Sequence, residues 1–546
     1  MLVNNPIISG FAPDPSITRI GDTFFLVNSS FHLFPGIPIY ASTDLANWKH
    51  IGNGINRPSQ LSLAKSRTHI HRGGETILVG TGGLWAPTIR HHEGITYIIC
   101  TNVIHPKGDG DEGSPKWPNF ENFIIHTTDV WSGNWSDPVF YEFNGIDPDL
   151  FFDDDDRTYV TGSSWDTNPG TINGFEIDLN TGSKLSQEVV VWEGVIRHIP
   201  EGPHLYKKNG WYLLLIAEGG THKNHQMSIA RSKSPLGPYG SCERNPILKP
   251  TANLRTDVVY TGHGDLFQDL HGKWWFTCLG VRQNKHGQSI MGRETFLTPV
   301  EWADGDHGDC WPLIEQPIGL KVSLPMPSSL PPPLPAGNLK VPLRAEWVFI
   351  RNPDMDSYRF SADQPMHDLS LKSSSAGLRG DGTHPITFVG KRQRELCGEA
   401  RAVLSLPALR GSSTVSGLAY YKDEHRHAII AYDSAACAVV FEVLNRGKRE
   451  PVLRHEKICI VGQTESLGAQ GIEFRLVHTE ERLDFSYQSE HPWTAAGTID
   501  TLIMTDHDFT GPCIGLFAST GAEPTNAASA NFRWCEFTGV SLPSSQ

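Results

Sequence analysis

The chain has 546 residues, 38% of them hydrophobic, and 46 Lys and Arg against 60 Asp and Glu give a formal charge of −14. That length calls for two or more domains, and the acidic balance disfavours polyanionic partners, so neither nucleic acid nor an anionic membrane surface is expected. No run approaches the ~18 apolar residues of a membrane span. The opening MLVNNPIISG has neither the basic start nor the apolar core of a signal peptide. The expectation is an intracellular protein as written, or a secreted one if this is its mature form.

The 53 Gly and 38 Pro punctuate short strands, which points to an all-β chain rich in turns. The first strand pair is APDPSITRIGDTFFLVNSS, from Ala12. A small or acidic residue beside a Pro leads into an aliphatic strand, a polar turn and a second apolar strand. The same phrase returns as WAPTIRHHEGITYIICTN from Trp85 and IDPDLFFDDDDRTYVTGS from Ile146. It returns again as EGPHLYKKNGWYLLLIAEGG from Glu201 and GHGDLFQDLHGKWWFTCLG from Gly262. Second halves recur too, in IPIYASTDLANWKHIG, FIIHTTDVWSGNWSDPVF and MSIARSKSPLGPYGSC. Four short strands per unit, repeating every ~40–70 residues, predict the blades of a propeller. Five blades span about residues 6–315. The acidic run Asp153 to Asp156 reads as a hairpin turn, since it lacks the spacing and final Glu of a calcium loop.

Residues 325–335, PMPSSLPPPLP, are Pro-rich and predict an extended connector. Beyond them EARAVLSL, HAIIAYDS, CAVVFEVL, GIEFRLVHT and RLDFSYQS alternate with period two, the pattern of a β-sandwich. The domain plan is a five-bladed β-propeller over 1–320, a linker over 321–339, and a jelly-roll-like β-sandwich over 340–546. The nine Cys are scattered without a C-x-x-C pair, so free thiols buried in apolar runs are expected rather than a zinc site.

The first strand of each propeller blade lines the central channel, so corresponding positions converge on one mouth. Asp14, Asp147 and Glu201 open blades one, three and four. Blade two brings Trp85 to the corresponding place, and blade five brings His263 and Asp265. Any one Asp-Pro alone reads as a turn. Three acids in one register instead suggest the two carboxyls that flank a glycosidic bond, one protonating the leaving oxygen and one activating water. The third would raise the proton affinity of the acid by like-charge repulsion.

GFAPDPSI, GIDPDLFFDDD and PEGPHLYK resemble the signature segments of glycoside hydrolase family 43, the inverting pentosidases. SSFHLFPGIPIYASTDLANW, EGGTHKNHQMSIARSKSPLGPY, GHGDL and GRETFLTPVEW resemble its β-xylosidase and α-L-arabinofuranosidase branch, whose C-terminal sandwich packs against the propeller. The resemblance implies that Asp14 is the general base, Glu201 the general acid, and Asp147 the residue that tunes and orients the acid. Inversion then needs base and acid ~6.5–9.5 Å apart. It implies that Arg293, in GRETF, contacts the sugar, and that Phe31 and Trp85 form apolar walls. It makes His263 the axial histidine, which in some relatives sits near a metal ion. Phe509, in DFTG, is a candidate to close the pocket from the sandwich. No cofactor is required for this chemistry, and a structural cation such as calcium near the axis is the one metal the resemblance suggests.

The function implied is exo-hydrolysis of a terminal pentose from arabinoxylan or its oligosaccharides, α-L-arabinofuranosidase first and β-xylosidase or both activities as the alternative. A retaining fructan or sucrose hydrolase would need an Arg-Asp-Pro and a Glu-Cys, where this chain has Ile146-Asp147-Pro148 and Glu201-Gly202-Pro203. A non-catalytic carbohydrate-binding propeller is the remote alternative, and the presence of all three acids argues against it. Whether the pocket suits free ends or polymer side chains rests on loops such as 103–121.

Overall fold

In the computed structural model the described residues are 1–73, 76–106, 118–168, 170–251, 256–302, 311–325, 345–361, 369–409, 411–459, 471–489, 492–520 and 528–539. Most of the Pro-rich connector and the centre of the 103–121 loop lie outside them. Five four-stranded antiparallel sheets follow one another from Ser16 to Ile314, each pairing its strands in chain order. The first comprises Ser16–Ile20, Thr23–Val27, Gly36–Ser42 and Lys49–Ile55. The inner strands of the next four are Gly83–His92, Gly145–Phe152, Glu201–Lys208 and Val258–Gln268.

These five inner strands surround one axis, and a chain of buried polar contacts crosses it. The Ser16 hydroxyl, the Arg90 guanidinium and the Tyr206 hydroxyl all donate to Asp265, while Arg90 also donates to Asp149. Each partner comes from a different sheet, so the contacts could not form unless the sheets were arranged radially. Strands between neighbouring sheets are covered on both faces and are accordingly near-continuous in apolar residues, as in Trp211–Glu218, WYLLLIAE. The Asp153 to Asp156 run is the expected hairpin turn: Asp153 N–H donates to the Arg157 carbonyl, and Asp156 takes a φ of 64°.

The ring is closed by its own N-terminus. Leu2–Asn4 pairs with Lys321–Ser323, Ile8 bridges to Thr295, and Asn5 Nδ2 donates to the carbonyls of Leu297 and Gly319. Lys321–Ser323 was expected to begin the linker. It is instead a strand, because the N-terminal segment offers it an unpaired edge.

Among the described residues the second region gives seven strands to each of two sheets that form a sandwich, and one of these sheets gains an eighth strand from the propeller. Its alternation is that of the sequence: Gly398–Ser405, GEARAVLS, is buried at every second residue. The inward set includes Leu404, Leu418, Phe441, Phe474 and Phe485, each at most 1% exposed. Two ladders stitch the regions together. Leu33–Phe34 of the propeller adds to the edge of the larger sheet through Trp347–Ile350, and His507–Asp508 of the sandwich pairs in parallel with Leu78–Thr81. The second ladder delivers a sandwich segment to the mouth of the propeller.

Candidate active site

At that mouth every inner strand carries a backbone irregularity. Asp14, Ala86, Asp147, Gly202 and His263 have φ of 52°, 40°, 55°, 55° and 42°. Four of the five precede a proline (Pro15, Pro87, Pro148, Pro203) and the fifth precedes Gly264. In the last four sheets this residue sits in a β-bulge: pairing jumps from Trp85 to Thr88, Ile146 to Asp149, Glu201 to His204 and Gly262 to Gly264. A bulge inserts an unpaired residue and re-aims its side chain, and it tolerates a proline that has no N–H to give the ladder. A left-handed conformation costs a non-glycine residue on the order of 1–2 kcal/mol, and four of the five sheets carry one here. That repeated strain marks the mouth as a functional site.

This register corrects the expectation from sequence. Asp14, Asp147 and His263 are equivalent, but Trp85 and Glu201 stand one residue before the bulge, where Ala86 and Gly202 hold the equivalent places. The side chains of Trp85 and Glu201 therefore approach the mouth from a different direction. Asp265, expected at the rim, lies two residues further down the strand and is fully buried in the axial network with Arg90.

The three acids nevertheless meet. His263 Nδ1 lies 3.9 Å from Asp14 Oδ1 and 3.8 Å from Asp147 Oδ2, with its ring laid over Gly202. Asp14 accepts from the Ser29 hydroxyl at 2.5 Å and pairs with Arg293 Nη1 at 3.1 Å. Ser29 Oγ in turn accepts from the Ala86 N–H at 2.6 Å. Asp147 accepts from the Gly202 N–H at 3.1 Å. The bulges thus pin the carboxyls of their neighbours. Burial and then the charge of Asp14 push Asp147 up to about 7. Burial, Asp147 and Asp14, in that order, raise Glu201 well above the ordinary carboxylic range, against the opposing charge of Arg293. The Glu201 side chain is 14% exposed against 6% for either Asp, so the acid whose proton is held most firmly is also the most accessible of the three.

Aromatic rings close one side. Phe31, in the left-handed region at φ 51°, lies 5.9 Å from Trp85 and 6.1 Å from Phe509 between ring centroids, and Trp85 meets Phe509 edge-on at 5.2 Å. Trp85 is fixed by its indole N–H to the Thr81 carbonyl at 2.8 Å. Phe509 comes from the sandwich, and Arg293 donates to its backbone carbonyl while its guanidinium lies 5.2 Å from the Phe509 ring. Arg293 thereby joins the acid Asp14, Thr221 in a turn between two strands of the fourth sheet, and the sandwich segment.

The sequence profile of the glycosyl hydrolases family 43 matches residues 3–307. The chain belongs to this family. A second profile, the β-xylosidase C-terminal concanavalin A-like domain, covers 340–538. Among relatives of this family 43 glycoside hydrolase is the non-reducing end α-L-arabinofuranosidase of Bacteroides ovatus, 32% identical over 98% of this chain and 94% of the relative. Another is a xylosidase/arabinosidase of Butyrivibrio fibrisolvens, 40% identical over 58% of this chain and 57% of the relative. Of solved structures, the xylan β-1,4-xylosidase from Bacillus halodurans superposes with a TM-score of 0.82 at 26% identity, over 98% of this chain and 99% of that one.

Several residues that build the family 43 site escape the sequence reading. Ser29 and Asn28 belong to the tripeptide NSS, a glycosylation sequon by pattern. Asn28 is instead fully buried, and its Nδ2 holds the carbonyls of Ala12 and Pro13, just ahead of Asp14. Two polar residues at the end of a buried strand are the signal that would have found them. Thr221 and His225 sit in EGGTHKNHQ, a segment whose pattern alone assigns them no role. Among the described residues no three His, Cys, Asp or Glu side chains converge as metal ligands.

Proposed function

We propose that the protein is an inverting exo-glycosidase that releases terminal α-L-arabinofuranose from arabinoxylan or its oligosaccharides. The observation that carries the reading is the asymmetry of the three carboxyls: Asp14 rests against Arg293 and Ser29, whereas Glu201 is kept protonated by burial and two like charges. Asp14 takes a proton from water as that water attacks the anomeric carbon, and Glu201 gives its proton to the departing glycosidic oxygen. One C–O bond forms, one breaks on the opposite face, and the product has inverted configuration. Asp147 supports the proton on Glu201 and orients it. Phe31, Trp85 and Phe509 form the apolar wall for the terminal sugar, and Phe509 suits the site to chain ends. Arg293, held by Asp14 and the Phe509 carbonyl, borders the same terminal subsite.

β-Xylosidase activity is the second reading, favoured by the names of two relatives, a xylosidase/arabinosidase and a xylan β-1,4-xylosidase. The test is hydrolysis of p-nitrophenyl α-L-arabinofuranoside and β-D-xyloside beside arabinoxylan, with wild type and Glu201→Ala. Turnover of arabinoxylan should fall by about 10²–10⁴-fold in the variant, and that of the activated aryl glycosides by far less, because they need little acid assistance. Equal small losses would remove Glu201 from the acid role. Retention of anomeric configuration, read by NMR, would remove Asp14 as base.

A further inference from the structure

A fourth side chain faces the acid. His225, on the third strand's approach in the fourth sheet, is 1% exposed, and its Nε2 points at Glu201 Oε1 from 3.9 Å. Its other nitrogen, Nδ1, lies 3.0 Å from the backbone carbonyl of Tyr260. A carbonyl can only accept, so Nδ1 carries the hydrogen and Nε2 presents a lone pair. That Nε2 is buried and has no hydrogen-bond partner. The ring is held flat against Gly262, where a Cβ would come within 2.5 Å of Nε2 and Cε1. The absent side chain at 262 is what gives the imidazole its place.

We propose that His225 is a positioning residue for Glu201, its Nε2 lone pair holding the carboxyl in the neutral, proton-carrying form between turnovers. The inference rests on the reading of Glu201 as general acid. A carboxylate on Glu201 would meet the lone pair head-on, whereas the carboxylic acid can donate to it. A separation of 3.9 Å is too long for that bond. A small rotation of the Glu201 side chain would close the 3.9 Å gap between turnovers. The charged and titratable groups around the ring are Glu201, His263, Arg293, Asp14 and His222. Burial leads them and pushes the imidazole down to about 4, so His225 stays neutral wherever the acid works. It exchanges no proton in the reaction. The proton leaves Glu201 for the glycosidic oxygen and is replaced from water.

The test compares His225→Ala and His225→Gln with Glu201→Gln, on a xylo- or arabino-oligosaccharide and on the matching p-nitrophenyl glycoside across pH. His225→Ala removes the lone pair and admits water, which should lower the proton affinity of Glu201. The basic limb of kcat/KM on the oligosaccharide should move down by about one pH unit. The loss should be about tenfold or more on the oligosaccharide and about twofold on the aryl glycoside. Gln can set an amide oxygen where Nε2 stood, so His225→Gln should return the limb toward its wild-type position. A limb unmoved in His225→Ala, or equal losses on both substrates, overturns the proposal. Thermal unfolding of each variant separates loss of fold from loss of positioning. If Glu201→Gln also lowers both substrates equally, the acid assignment itself fails, which is a different result from failure of His225 alone.

Discussion

Two clusters of buried charge lie on either side of the seam between propeller and sandwich, and they are built on opposite plans. In the sandwich, Arg426 is fully buried and pairs with Asp423, Asp506 and Asp508, while Lys422 pairs with Asp508 and Lys448 with Asp506. Every carboxylate there has a cation, and the charge of Arg426 helps hold Asp506 down at about 2. At the propeller mouth, among the described residues, Arg293 pairs with Asp14 and is the one cation whose charge opposes the rise of the other two carboxyls, which are pushed up instead. Burial acts in the same direction in both places. The difference comes from how many opposite charges accompany it. Paired charge holds the fold; under-compensated charge holds a proton ready for chemistry.

The contrast can be tested from each side. The largest effect is expected from Arg426→Met, which leaves three buried aspartates short of a partner. Urea denaturation should show a loss of about 3–5 kcal/mol. A loss below about 1 kcal/mol would show that the lysines suffice. Asp147→Asn should act in the opposite sense. Its carboxyl titrates near 7 in the folded state against 3.8 ordinarily, so the folded protein is penalised as pH rises from 3.8 through 7. The variant should lose activity yet gain about 1 kcal/mol at pH 7.5, an advantage that vanishes below pH 4. Equal gains at both pH values would show that the charge is not the cause. The smallest effect is expected from Phe509→Ala, a rise of about tenfold in KM, equivalent to ~1.4 kcal/mol of sugar contact. An unchanged KM would exclude Phe509 from the wall of the pocket.

The repeat of five openings was legible because each blade begins with a variant of one phrase, and the acids at Asp14, Asp147 and Glu201 were legible within it. The one-residue offset of Glu201 and Trp85 was not. A proline after a small or acidic residue looks the same whether it opens a strand or sits in a bulge, and only ladder pairing tells the two apart. The depth of Asp265 was missed for the same reason. Alternation along the strand puts it one layer below His263, against Arg90. His225 was hidden because its partner Glu201 lies on another strand and its tautomer depends on a backbone carbonyl, which no side-chain pattern reveals. The placement of Phe509 was anticipated only through resemblance, since Arg426 is separated from Asp508 by 82 residues.

The segment from Asp506 to Thr510 divides its labour by parity. Asp506, Asp508 and Thr510 turn back onto Arg426. His507 and Phe509 turn toward the propeller, the first against His222 and Tyr260 and the second against Trp85 and Phe31. Mutations at the even positions should therefore lower stability, and those at the odd positions should, on the proposed function, alter the choice of sugar. Selection can move along this segment without the usual conflict between the two. A library randomised at 507 and 509 alone would explore new substrates on an anchor that does not change.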